Sequence, residues 1–156
     1  MPVLIDPAGA DANSRLTAIR VTVLTARLME LWRRGTRDTD TAMILLAVVA
    51  ITTDRLTRLR LTPEQRRLEN EVPADMIGSC NISSIAAATG LNRETARRRV
   101  AALVKEGLLI RSGKGEIYFP PGFLQRSEAH ELVRRLLETV VRFVNDQEKD
   151  GVLRLG

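Results

Sequence analysis

Residues 82–110 read ISSIAAATGLNRETARRRVAALVKEGLLI, and this stretch decides the fold. Ser83 can cap a short helix running to Thr89, since its hydroxyl oxygen can accept from a backbone N–H that the first turn leaves free. Ala86 is small where a following helix has to cross closely. Gly90 permits the left-handed backbone that ends a helix and turns the chain. Leu91 plugs the corner, and Asn92 caps a second helix from Arg93 to Glu106 that ends at Gly107. Two helices joined by a turn of about three residues containing glycine make the helix-turn-helix pattern.

In the second helix, Ala96, Val100, Leu103 and Val104 share one side and must pack inward. At about 100° per residue, Glu94, Arg98 and Lys105 lie opposite, Arg97 lies on the flank, and Arg93 sits in the first turn nearer the apolar side. A helix with this basic face can enter a major groove N-terminus first. Its arginines can then donate in pairs to guanine O6 and N7, and Glu94 can accept from cytosine N4. Downstream, Leu108-Leu109-Ile110-Arg111 and Glu116-Ile117-Tyr118-Phe119 flank the Gly-rich Ser112-Gly113-Lys114-Gly115, the pattern of a β-hairpin. Arg111 and Lys114 on such a wing would face phosphate or the minor groove. The expected fold is mainly α: a winged helix-turn-helix of three core helices plus a β-hairpin wing, with long flanking N- and C-terminal helices.

Arg93-Glu94-Thr95-Ala96-x-Arg98, following Gly90-Leu91-Asn92, resembles the recognition helix of the cyclic-AMP receptor protein family over about forty residues. That resemblance implies that Arg93, Glu94 and Arg98 read bases and that Thr95 touches phosphate. The cyclic-nucleotide β-roll of that family has no counterpart, because nothing before Cys80 reads as a series of strands. The plan of the whole chain is similar to the multiple-antibiotic-resistance regulator (MarR) family: a helical N-terminus, a central winged helix and a dimerising C-terminal helix. The wing here is shorter than is usual there.

Charge agrees with the motif. Between Ser83 and Lys114 there are seven Lys or Arg against Glu94 and Glu106, while the remaining seventeen basic and seventeen acidic residues cancel. The whole net charge of +5 therefore sits on the motif. A charge run alone reads as a solvated helix face; on a helix-turn-helix it reads as the footprint of a polyanion partner. Aromatics are 3% of the chain, too few for a platform that stacks single-stranded bases.

Working outward, residues 1–12, with Pro2, Pro7 and Gly9, read as a flexible tail. Asn13 or Ser14 starts a helix ending at Gly35, with Leu16, Ile19, Val23, Leu24, Leu28, Leu31 and Trp32 at helical spacing. A second helix starts near Asp40 and runs to about Arg60; Ala42 to Ile51 is apolar on all sides, which predicts burial on all sides. Thr62-Pro63-Glu64 looks like a third start, ending before Pro73. Ser127 caps a last helix to about Asp146 striped by Leu132, Leu136, Val140 and Phe143. The domains expected are thus 13–72 as a helical, dimerising region, 73–122 as the winged helix-turn-helix, and 123–156 as a dimerising helix and tail.

The expected DNA-contacting residues are Ser83, Ser84, Asn92, Arg93, Glu94, Thr95, Arg97, Arg98, Arg99, Arg111 and Lys114. Arg93, Glu94, Arg97 and Arg98 specify sequence; Thr95, Arg99, Arg111 and Lys114 mainly hold phosphate. The surplus of apolar helix at the two ends points to a homodimer as against a monomer whose core those helices cover. No cofactor and no metal are expected, since Cys80 and His130 are the only cysteine and histidine. Cys80 reads as a small buried apolar residue, His130 as surface and Trp32 as core. No Gly-rich phosphate loop or nucleophile elbow suggests an enzyme. Met1 to Ala10 does not read as a signal peptide, and the longest apolar run, Ala42 to Ile51, is about half of what spans a bilayer, so the expected location is the cytoplasm. A small-molecule effector has no residue pattern to support it. The expected function is sequence-specific transcription regulation on double-stranded DNA. A winged-helix protein-interaction adaptor, or a plasmid or phage replication or partition factor, would share the motif.

Overall fold

The computed structural model describes residues 1–156 and is mainly helical. In chain order its elements are β1 (Val3–Ile5), α1 (Pro7–Ala12), α2 (Ser14–Arg33), α3 (Thr39–Thr53), α4 (Ile82–Thr89), α5 (Arg93–Lys105), β2 (Ile110–Arg111), β3 (Ile117–Tyr118), α6 (Ser127–Lys149) and β4 (Leu153–Leu155). Short 3-10 turns occupy Asp54–Arg58, Ala74–Met76 and Phe123–Gln125. No helix is long and apolar enough to cross a membrane. The chain divides into a unit of Thr36–His130 and a unit of Met1–Gly35 with Glu131–Gly156. The division expected at residue 72 is therefore displaced to Gly35, because α3 contributes its buried face to the same core as α4 and α5.

In the unit 36–130, Asp38 rather than Asp40 caps α3: its Oδ1 accepts from the Thr41 backbone N–H at 2.9 Å. Ala42, Ile44, Ala47, Val48 and Thr52 of α3 are buried, but Met43 and Ala50 are exposed, so the helix is not buried on all sides as its composition suggested. It ends at Thr53 and tightens into the 3-10 turn instead of continuing to Arg60. Ile44 and Val48 meet Ile82 and Ile85 of α4, Ala96, Val100 and Leu103 of α5, and Leu109 and Ile117 of the hairpin. Each such large aliphatic taken fully from water contributes about 1.5–3 kcal/mol, which makes this cluster the main source of the unit's stability.

The helix expected after Thr62 does not form. Its capping pair does: Thr62 Oγ1 accepts from Gln65 N at 3.2 Å, and Gln65 Oε1 accepts from Thr62 N at 3.0 Å. Beyond that pair the chain runs on in turns. Between Glu64 and Glu71 only Leu68 is apolar, and it stays exposed, so no buried face offsets the cost of nucleating a helix. This loop and β3 border an open groove of about 710 Å³, with Leu56, Val72, Ile77, Tyr118 and Leu124 among its walls.

In the other unit, the first dozen residues are ordered structure rather than a loose tail. β1 pairs antiparallel with β4, Val3 opposite Leu155 and Ile5 opposite Leu153. Asp6 Oδ2 caps α1 by accepting from Gly9 N at 2.9 Å, and Pro7 occupies the first turn, where its missing N–H is no loss. Gly9 is required by packing, because a Cβ there would lie 1.9 Å from the Gly151 carbonyl oxygen. α2 has the expected extent, and α6 runs on to Lys149 rather than stopping near Asp146. Leu132, Leu136, Thr139 and Phe143 of α6 are half-buried and Gln147 is buried. Val140, expected in that stripe, is exposed and Thr139 takes its place. Arg20 of α2 pairs with Asp146 at 3.0 Å and with Asp150.

Candidate nucleic-acid interface

The cap of α4 is Asn81, not Ser83. Asn81 Oδ1 accepts from Ser84 N at 2.9 Å while Ser84 Oγ accepts from Asn81 N at 2.9 Å, a reciprocal capping box. Ser84 Oγ also donates to the Asn81 carbonyl at 2.8 Å, so its hydroxyl is engaged within the helix start and is a poor phosphate donor. Ser83 stays exposed in the first turn. Gly90 ends α4 at φ 70°, the left-handed conformation the turn requires, and Leu91 is half-buried beneath it. Asn92 caps α5, its Oδ1 accepting from Glu94 N at 2.9 Å, which commits that side chain to the helix end.

α5 buries Ala96, Val100 and Leu103, and this fixes which side chains face water. Arg93, Glu94, Arg97, Arg98 and Lys105 are exposed, and Thr95 is half-buried. Arg97 Nε donates to Glu94 Oε2 at 2.8 Å, and its second nitrogen pairs with Oε1. The Arg97 hydrogen bond holds the Glu94 carboxyl below the usual carboxylate range and raises Arg97 in turn, so both are charged at neutral pH. Arg93, Arg98 and Lys105 make no salt bridge and project into solvent.

Arg99 departs from the expected phosphate contact. It is tied to Asp38 at 2.8 Å and Asp40 at 3.0 Å, and its side chain is 31% exposed, with a buried Nε. The reason is angular: position 99 lies on the border between the core side and the solvent side, where α3 presents its acidic first turn. Arg99 therefore clamps α5 to α3. Glu106 is likewise met by Arg37 at 3.1 Å, which takes an acid away from the basic face.

Beyond α5, β2 and β3 pair with Ile110 opposite Tyr118 and Arg111 opposite Ile117. The tip is closed by Ser112 N donating to the Glu116 carbonyl at 2.8 Å. Ile117 N also donates to the Cys80 carbonyl at 2.7 Å, which anchors the hairpin to the segment entering α4. Cys80 itself is 1% exposed, and burial pushes its thiol up, so it is a neutral core residue as expected. Arg111 and Lys114 are exposed on this hairpin.

The expected set is thus partly brought together. Arg93, Glu94, Arg97 and Arg98 share the solvent side of α5, and Arg111 and Lys114 lie on the hairpin of the same unit. Ser84, Asn92 and Arg99 are engaged internally. Two residues not anticipated belong to the solvent side: Ala101 and Ala102, both exposed in the middle of α5. The helical wheel carried the signal, since Ala101 falls between Glu94 and Arg97, and small side chains there let a helix approach a surface closely. No family model matches the chain, and neither a curated protein nor a solved structure matches it.

Proposed function

We propose that the unit 36–130 is a winged helix-turn-helix that binds double-stranded DNA, with α5 in the major groove, and that the protein regulates transcription by reading sequence there. The observation that carries the reading is how the charges are distributed. Arg99 and Glu106 pair away within the unit, leaving Arg93, Arg97, Arg98, Lys105, Arg111 and Lys114 exposed with Glu94 as the only acid on the outer side of α5. A major groove about 12 Å wide admits one α-helix, and the alanines of α5 present no bulk against its floor. The hairpin adds Arg111 and Lys114 where backbone phosphates flank the groove. The three helices α3, α4 and α5 with one short hairpin are the parts that such a fold requires.

The reading is tested by fluorescence anisotropy of a labelled duplex titrated with the full chain at several salt concentrations. Affinity should fall steeply with salt, with a log–log slope of about −0.9 per phosphate contacted. Arg98→Glu together with Lys114→Glu, both on exposed positions, should abolish binding without unfolding the protein. A folded protein that shows no salt-dependent binding would overturn the DNA reading and favour a protein-interaction module.

A further inference from the structure

We propose that the unit of residues 1–35 and 131–156 is completed by a second copy of this chain, seated on outward stripes of α2 and α6. Burial is very unevenly shared. Of the thirteen buried apolar residues, twelve lie in 36–130 and only Val152 lies in this unit. Of the seventeen large apolar residues left exposed, fourteen belong to it. Apolar burial in this unit thus rests on half-buried residues, Leu24, Leu28, Leu31, Leu132, Leu136 and Phe143 among them, with Val152 the one apolar side chain taken fully from water.

Nine of the fourteen lie on α2 and α6, and six of those form two stripes, with Val21 and Met29 on other sides of α2 and Val141 beside the α6 stripe. α2 exposes Leu16 at 43%, Ile19 at 55% and Val23 at 42%, spaced by three and four. α6 exposes Val133 at 50%, Leu137 at 62% and Val140 at 39%, spaced by four and three. This is the spacing of a helix–helix seam. The inward sides of both helices are formed by other residues, the half-buried Leu24, Leu28 and Leu31 on α2 and Leu132, Leu136 and Phe143 on α6. The outward stripes are therefore surplus to the fold of a single chain.

The area favours a second copy. At these exposures the six side chains, with Val141 beside them, present roughly 500–600 Å² of aliphatic surface, and a two-fold contact hides that area on both chains. The total, about 1,100 Å² before any flanking contact is added, approaches the 1,200–2,000 Å² of stable interfaces. The α6 stripe carries no charged residue, and Arg20, which borders the α2 stripe, is held by Asp146 and Asp150 of its own chain, so the surface resembles a core divided between two chains, as in obligate homodimers. The inference stands whether or not the other unit binds DNA.

Sedimentation equilibrium of the full chain tests it, run from nanomolar to about 100 µM. The expected mass is twice the 17.3 kDa of one chain. Ile19→Glu and Leu137→Glu, made separately, should each weaken the dimer about 100-fold or more, because a carboxylate would be buried without a partner. Should either variant lose structure, the unaltered protein still decides: its melting temperature should rise with concentration if the second copy is part of the folded state. A folded single-chain species at 100 µM with a concentration-independent melting temperature would overturn the proposal. So would a dimer whose dissociation constant ignores both substitutions.

Discussion

Asp38 lets the placing of α5 be tested through two substitutions that separate its roles. Its Oδ1 accepts from Thr41 N to cap α3 and also receives Arg99 from α5. Asp38→Asn keeps a capping oxygen and removes the charge, and the Thr41 hydroxyl, which donates to Oδ2 at 3.1 Å, has to turn and accept from the new amide. The Asp38 and Arg99 side chains are 42% and 31% exposed, so the ion pair is screened and contributes about 0.5 kcal/mol, with a similar amount from the favourable helix end. The expected loss for Asp38→Asn is thus about 1 kcal/mol, and Asp38→Ala adds about 1 kcal/mol for the lost cap. Arg99→Ala, which forfeits both Asp38 and Asp40, should cost about 1 kcal/mol. The Thr41 hydrogen bond above all, with Arg99 beside it, lowers the Asp38 carboxyl in the folded state. A lowered folded value means that this stability is complete above the unfolded value of about 3.9 and is lost as pH falls through the folded one. The gap between Asp38→Asn and the unaltered protein should therefore be full at pH 7 and should close on acidification below about pH 4. Urea unfolding followed by circular dichroism, at one protein concentration, reads all of this. An Arg99→Ala protein of unaltered stability that binds DNA more weakly at every salt concentration would refute this placing, for Arg99 would then be a phosphate contact.

Four further outcomes are expected. Gly90→Ala should cost about 1–2 kcal/mol in the same unfolding experiment, all of it from the left-handed backbone, since a Cβ there meets nothing within 4 Å. Ile85→Ala, at a position with 0% exposure, should cost about 2–5 kcal/mol and shift the urea midpoint accordingly. Lys114→Ala should leave stability unchanged, weaken all duplex sequences alike and flatten the salt slope by about 1. Arg98→Ala should cost about 1–3 kcal/mol at a preferred site and little on other duplexes, a contrast that competition binding measures.

What could be read from the chain alone was what depends on neighbouring residues. Gly90, Asn92 and Gly107, with the stripe of Ala96, Val100 and Leu103, marked the turn, the start of α5 and, to within one residue, its end at Lys105, because a cap, a left-handed glycine and a helical period are all settled within a few positions. The hairpin was legible for the same reason. Cap assignment missed by two residues twice, Asn81 for Ser83 and Asp38 for Asp40. Each neighbouring pair offers two competent oxygens, and the core chooses between them: starting α4 at Ile82 puts Ile82, Ile85 and Thr89 inward together. Features set by distant partners were not legible. β1 finds its partner at the far end of the chain, so Val3–Ile5 looked like a tail. Arg99 looked like one more arginine of a basic helix because its carboxylate at Asp38 lies 61 positions earlier. The segment after Thr62 carried a sound helix start but no apolar face, and a cap alone does not sustain a helix.

The measurement that bears most directly on the central claim is selection of bound duplexes from a random-sequence library by the full chain, repeated with Arg98→Ala. The unaltered protein should enrich a defined sequence, and the substitution should relax the preference at one or two positions. Enrichment of nothing, or a preference that Arg98→Ala leaves intact, would contradict the assignment of α5 to the major groove.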